Sequence, residues 1–181
     1  WPESLRLEPQ RRPEIAQVDL AALALELAAW GDPLLAFPDP PPAGAMGAAH
    51  DLLQRLDSLD TRGAITQTGR RMLALGTHPR LAAMLLAGAD AGERALACDL
   101  CALLEARDPL RPLPGAPRSD GVAARWQALT AFRSGRTPAD AQRGALAAID
   151  AAAKQWRRRL KLDIAPPSSA SAHLLGDLLA H

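Results

Sequence analysis

The sequence has no tyrosine and only two phenylalanines among 181 residues. Strand formers are almost as scarce, with two valines, four isoleucines and six threonines. Pleated faces are built from those residue types, so a mainly β fold is excluded. Two cysteines, Cys98 and Cys101, cannot make a disulfide framework, and they fit a reducing, cytoplasmic setting. They also cannot supply the four ligands of a zinc site, since no second pair accompanies them. No apolar run approaches about 20 residues, so no span of a bilayer is expected. The opening Trp1-Pro2-Glu3-Ser4 has neither a methionine nor a basic-then-apolar leader, which suggests a piece of a longer chain without a signal peptide. Lysine is nearly missing, and neither Lys154 nor Lys161 follows a glycine, so no phosphate-cradling Gly-Lys-Ser/Thr loop exists.

What is present is leucine and alanine, 31 and 39 residues respectively. Both favour helix, and the expected fold is mainly α with a leucine–alanine core. The overall charge of +1 hides a polarity. Residues 1–124 are net acidic, whereas residues 125–161 hold nine basic groups against Asp140 and Asp150. A basic segment inside a neutral chain points to a polyanionic partner.

Residues 1–13 read as an extended Pro/Arg-rich connector. Asp19 is expected to cap a helix through Trp30, closed by Gly31, with Leu20, Leu23, Leu27 and Trp30 facing the core. Prolines between Pro33 and Pro42 exclude regular helix there. A second helix is expected from Ala43 to Leu56 or Leu59, then a turn at Asp60–Gly63 and a short strand, Ala64-Ile65-Thr66. Thr66 or Thr68 caps a short helix ending at Gly76, and Pro79 opens the next. This order suggests a winged helix with a minimal β wing over residues 14–90, although a plain three-helix bundle would share most of it. A small helical bundle is expected over 91–181, with the boundary near 88–92. Its helices run from Ala91 to Arg107, with Leu96, Leu100, Leu103 and Leu104 inward, from a Ser119 or Asp120 cap to Arg133, and from a Thr137-Pro138 cap to Leu162. A last helix begins at Ser171 and is expected to break off at His181. Residues 108–117 form a proline-rich loop.

The string Leu52-Leu53-Gln54-Arg55-Leu56, Leu59-Asp60, Gly63-Ala64-Ile65-Thr66, Gly69-Arg70-Arg71-Met72, His78-Pro79-Arg80-Leu81 and Met84-Leu85 resembles the accessory region of DEAH-box/RNA-helicase-A-type helicases. Trp1-Pro2-Glu3, Pro13-Glu14-Ile15 and Asp39-Pro40-Pro41-Pro42 fit the same pattern, although Gly76-Thr77 replaces its usual Leu-Pro. Cys98-Asp99-Leu100 and the stretch Leu103–Leu110 are most similar to the bacterial HrpB-type helicases. The resemblance is good over residues 1–110 and only compositional beyond. It implies a winged helix leading into a helical ratchet domain, RecA-like domains elsewhere in the same parent chain, and a parent that uses ATP and magnesium. It also implies single-stranded RNA or DNA as partner and no membrane.

On the long helix after residue 142, Leu146, Ile149, Ala153, Trp156 and Leu160 share an apolar flank at helical spacing. Arg143, Lys154, Arg157, Arg158 and Lys161 share the adjoining basic flank, an arrangement able to neutralise phosphates without reading bases. Arg159 falls off that flank. Arg70, Arg71 and Arg80 flank the helix that reads DNA in groove-binding winged helices, and under the resemblance they contact neighbouring domains instead. No nucleophile–base pair is visible, so no catalytic residue and no cofactor is expected in this chain itself. Two other readings stay open: a helical protein-interaction module docking an acidic partner, and a winged-helix transcription regulator.

Overall fold

The structure is a computed structural model that describes residues 13–31, 35–111 and 121–180. Most of the Pro/Arg-rich connector, Trp1-Pro2-Glu3, Asp32-Pro33, the prolines from Pro112 to Pro117 and the Ser119/Asp120 cap lie outside the described residues. The described residues carry eight α-helices and no multi-residue strand. Two compact units divide between Pro79 and Arg80, ahead of the boundary expected near 88–92.

In the first unit a short 3-10 turn, Glu14–Ala16, precedes α1 (Ala21–Trp30), α2 (Ala43–Arg55) and α3 (Gln67–Leu75). Asp19 accepts from the Ala21 amide at 2.7 Å, and Gly31 closes α1 in the left-handed conformation. The core face of α1 is Leu20, Ala21, Ala24 and Leu25, whereas Trp30 is 75% exposed. Placing Trp30 in the core is therefore wrong. A helical stripe at the end of an element reaches past the neighbours that would cover it. On α2, Ala49, Leu52 and Leu53 are buried.

A single antiparallel bridge joins Leu59 to Ile65, with amide bonds from Asp60 to Ala64 and from Thr66 to Ser58. The turn between them is set by Asp60, whose carboxylate accepts from the Arg62 and Ala64 amides. Those donors hold the Asp60 carboxyl below the ordinary carboxylate range. Gly63 takes the positive φ of 81° that the turn requires. Thr66 then caps α3 by accepting from the Gly69 amide at 3.0 Å.

The second unit holds the remaining residues of α4 (Pro79–Ala87) and all of α5 (Ala91–Glu105), α6 (Val122–Arg133), α7 (Arg143–Arg159) and α8 (Ala172–Leu179). Asp90 caps α5 through the Glu93 amide, and Glu93 returns a bond to the Ala89 amide. Residues Ala95 to Leu103 of α5 are all buried, but Leu104 is 40% exposed and does not face inward as expected. Burial pushes the Cys98 thiol up to about 12 and Cys101 higher still, so both are inert core residues.

Thr137-Pro138 does not cap α7. Residues 140–142 instead pair with 109–111, through a Leu110–Ala141 bridge and amide bonds Arg111 to Asp140 and Gln142 to Pro109. The helix accordingly starts at Arg143. It ends at Arg159, before the expected Leu162, because Lys161 turns left-handed with φ 54°. Ser171 caps α8 through the Leu174 amide, and α8 runs to Leu179.

Candidate nucleic-acid interface

The sequence of α7 alternates apolar and polar positions so that Leu146, Ile149, Ala153 and Trp156 are buried. Their burial fixes the rotation of the helix and so decides which basic residues meet solvent. Arg143, Lys154, Arg158, Arg159 and Lys161 are exposed. Arg157 is not: it is 5% exposed, and its Nη1 donates to Asp99 Oδ1 at 2.8 Å. Arg157 therefore leaves the phosphate-contacting set. It stands at the border of the apolar and basic flanks, and a buried carboxylate draws it inward.

That carboxylate organises the unit. Asp99, in the middle of α5, is fully buried. Arg133 at the end of α6 grips it with a two-toothed fork, Nη1 to Oδ2 at 2.6 Å and Nη2 to Oδ1 at 2.7 Å. The Trp126 indole N–H adds a bond to Oδ2 at 3.3 Å. The Arg133 Nε donates to Asp150 at 2.7 Å, and Lys154 pairs with the other Asp150 oxygen at 2.9 Å. Burial pushes the Asp150 carboxyl up, but the Lys154 and Arg133 hydrogen bonds outweigh it and hold the group below its usual range. Burial likewise works against the Arg133 charge, and bonding to Asp99 and Asp150 more than offsets it.

Sequence reasoning missed this cluster. One signal was available: Asp99 is a lone acid within an otherwise apolar stretch from Ala95 to Leu104. An uncompensated charge there would cost several kcal/mol, so a partner had to exist.

Of the remaining basic groups, Arg158 and Lys161 form no ion pair with a described residue. The Arg143 guanidinium lies 5.6 Å from the Phe132 ring centre, and the Arg159 guanidinium 5.1 Å from that of Trp156. The Trp156 indole N–H donates to Glu105 at 3.2 Å. In the first unit Arg70 and Arg71 are exposed on α3, and in the second Arg80 is exposed on α4. The structure brings Lys154, Arg158 and Lys161 to the C-terminal end of one helix, with Arg143 at the opposite end. Such a surface can bind an extended polyanion.

Crystal structures of the Escherichia coli DEAH/RHA helicase HrpB match 99% of this chain at 30% identity, with TM-scores of 0.69 and 0.70. The chain is homologous to HrpB-type DEAH/RHA helicases. In sequence, the ATP-dependent RNA helicase HrpB of Escherichia coli K12 is 43% identical over 103 residues, 55% of this chain. The splicing-factor RNA helicase prp22 of Schizosaccharomyces pombe is 38% identical over 87 residues, 46% of this chain. The chain spans only 13% of the HrpB sequence and 7% of prp22, and 19–20% of the HrpB crystal chains. The helical architecture fits a C-terminal region of the HrpB type. No family model matches the sequence.

Proposed function

We propose that this chain is the accessory region of an ATP-dependent helicase, a winged-helix unit followed by a ratchet-like helical unit. Its role is to buttress RecA-like domains of the same parent and to hold a translocating single strand of RNA or DNA by charge. The observation that carries the reading is the structural likeness to HrpB along nearly the whole chain. The Leu59–Ile65 bridge with its Asp60 turn is the element that serves as wing. Lys154, Arg158 and Lys161, with Arg143, are the phosphate contacts. Arg70, Arg71 and Arg80 are the contacts to the neighbouring domains. A cytoplasmic setting belongs to the same reading. Among the described residues no helix is long and apolar enough to cross a membrane.

The residues here do not suit the ATP and magnesium of the parent family. Neither lysine follows a glycine, and no three His, Cys, Asp or Glu residues gather to hold a metal among the described residues. In the proposed reading, ATP chemistry is carried by other parts of the parent helicase. This chain's share is positional, since a basic helix face can follow a backbone without reading its bases.

The test is anisotropy of a labelled oligo-uridine across a salt series. The Lys154→Gln/Arg158→Gln variant should bind at least tenfold more weakly. Its salt slope should be smaller by roughly 1.4, about 0.7 for each single-strand phosphate contact removed. An unchanged affinity and slope would mean that this face docks protein or is merely solvated.

A further inference from the structure

We propose that the Arg159 guanidinium, held over the Trp156 ring, is a stacking platform for a base of the strand whose phosphates lie on Lys154 and Arg158. The proposal deepens the single-strand reading above and rests on it. Trp156 is 7% exposed, and its ring is anchored by the indole bond to Glu105 on α5. Arg159 follows three residues later, exposed, with its guanidinium centre 5.1 Å from the ring centre. The ring attracts the cation and restricts the long side chain, so less freedom is lost when a ligand arrives. A guanidinium plane stacks well on an unpaired base.

Aromatic side chains are the usual platforms for single strands, but this unit has turned its own inward. Trp126 and Trp156 are buried, and Phe132 is half-buried beneath Arg143. Arg159 also stands where a base would reach it. Ala148, Ala152 and Gln155 precede it on one flank of α7, and the two alanines line a cavity of about 370 Å³ with Ala102, Ala106 and Arg107 of the preceding chain. That flank lies some 100° around the helix from Lys154 and Arg158, an arc of roughly 10 Å on a helix about 10–12 Å across. One nucleotide spans such an arc from phosphate to base, and the low alanine surface leaves the way clear.

The experiment compares oligo-thymidine with an abasic oligomer of equal length, both labelled, on the 181-residue chain and on Arg159→Lys. Lysine keeps the charge and removes the plane. The expected result is about a tenfold loss on oligo-thymidine, no loss on the abasic oligomer, and an unchanged salt slope. An Arg55→Lys control, at an exposed arginine of α2 outside the proposed binding face, should bind both oligomers like the parent chain. If Arg159→Lys binds oligo-thymidine normally while Lys154→Gln/Arg158→Gln loses it, the stacking role is wrong and the phosphate face stands. If Arg159→Lys weakens both oligomers equally, the side chain is only a cation and the platform is again wrong. If the parent chain binds neither oligomer, the single-strand reading falls and takes the platform with it.

Discussion

Among the described residues of 13–79 the fully buried polar side chain is Ser58, a neutral hydroxyl that donates to the Leu53 carbonyl at 2.7 Å. In residues 80–180 it is Asp99, a carboxylate that gathers Trp126 and Arg133 from α6 and Arg157 from α7. The first unit thus satisfies its buried hydroxyl locally, at a carbonyl five residues back along the chain. The second ties helices distant in sequence through buried charge. A neutral local bond can be lost at small cost. Removing one partner from a buried ion cluster leaves charges that neither water nor protein solvates.

The comparison breaks most sharply at Asp99. Asp99→Asn should destabilise the second unit by about 3–5 kcal/mol, because Arg157 loses its counter-charge in the interior and Arg133 keeps only Asp150. Amide hydrogen exchange reads the units separately. Protection should collapse in α5, α6 and α7 while α1 to α3 keep theirs. A uniform small loss over both units would mean that the cluster contributes nothing particular.

Acid should act through the same cluster. Asp150 has its carboxyl depressed in the folded state, so its contribution is complete above the unfolded value near 3.8 and disappears as pH falls through the lower folded value. Urea midpoints for the second unit should therefore drop as pH approaches 3.8 and continue to drop below it. Asp150→Asn should flatten that fall, and an undiminished slope would assign the acid sensitivity elsewhere.

In the first unit the most sensitive position is a contact rather than a charge. A Cβ at Gly69 would run into the Ser58 carbonyl oxygen and stand 2.8 Å from Ile65 Cγ1. That carbonyl is already fixed by the Thr66 amide, so it cannot simply retreat. Gly69→Ala should cost about 1–3 kcal/mol and lower exchange protection in α3 first.

These positions also show what could be read from sequence. Helix ends were legible because they are local: Gly31 and Gly76 stop α1 and α3, Thr66 caps α3, and Ser171 opens α8. The basic end of α7 was legible too, but not which of its residues turns inward. The partner that captures Arg157 lies 58 residues earlier, and the one Arg133 grips lies 34 earlier. Helical periodicity holds no such information. Thr137-Pro138 failed for the same reason, since a cap signal was overridden by pairing of residues 140–142 with 109–111. Trp30 and Leu104 failed because periodicity locates a stripe without saying how far the covering surface extends.

The smallest expected effect compares two helix ends of the same design. After α2, Asp57 is left-handed with φ 53°, and the Ser58 amide reaches back to the Leu53 carbonyl at 2.9 Å. After α7, Lys161 takes φ 54°, and the Leu162 amide reaches back to Arg157 at 2.9 Å. Both positions suit glycine, but aspartate tolerates the left-handed region better than lysine does. Lys161→Gly relieves about 1–2 kcal/mol of backbone strain. The greater freedom of glycine in the unfolded chain returns roughly 0.4–1 kcal/mol of that gain. A net rise in melting temperature is expected, and Asp57→Gly should give a smaller one. Lys161 also stands among the proposed phosphate contacts, so its glycine variant should bind oligo-uridine more weakly while melting higher. Opposite signs from one substitution would mean that lysine is kept there for its charge against the preference of the backbone. A higher melting point with unchanged binding would remove Lys161 from the interface and leave Lys154 and Arg158 as its centre.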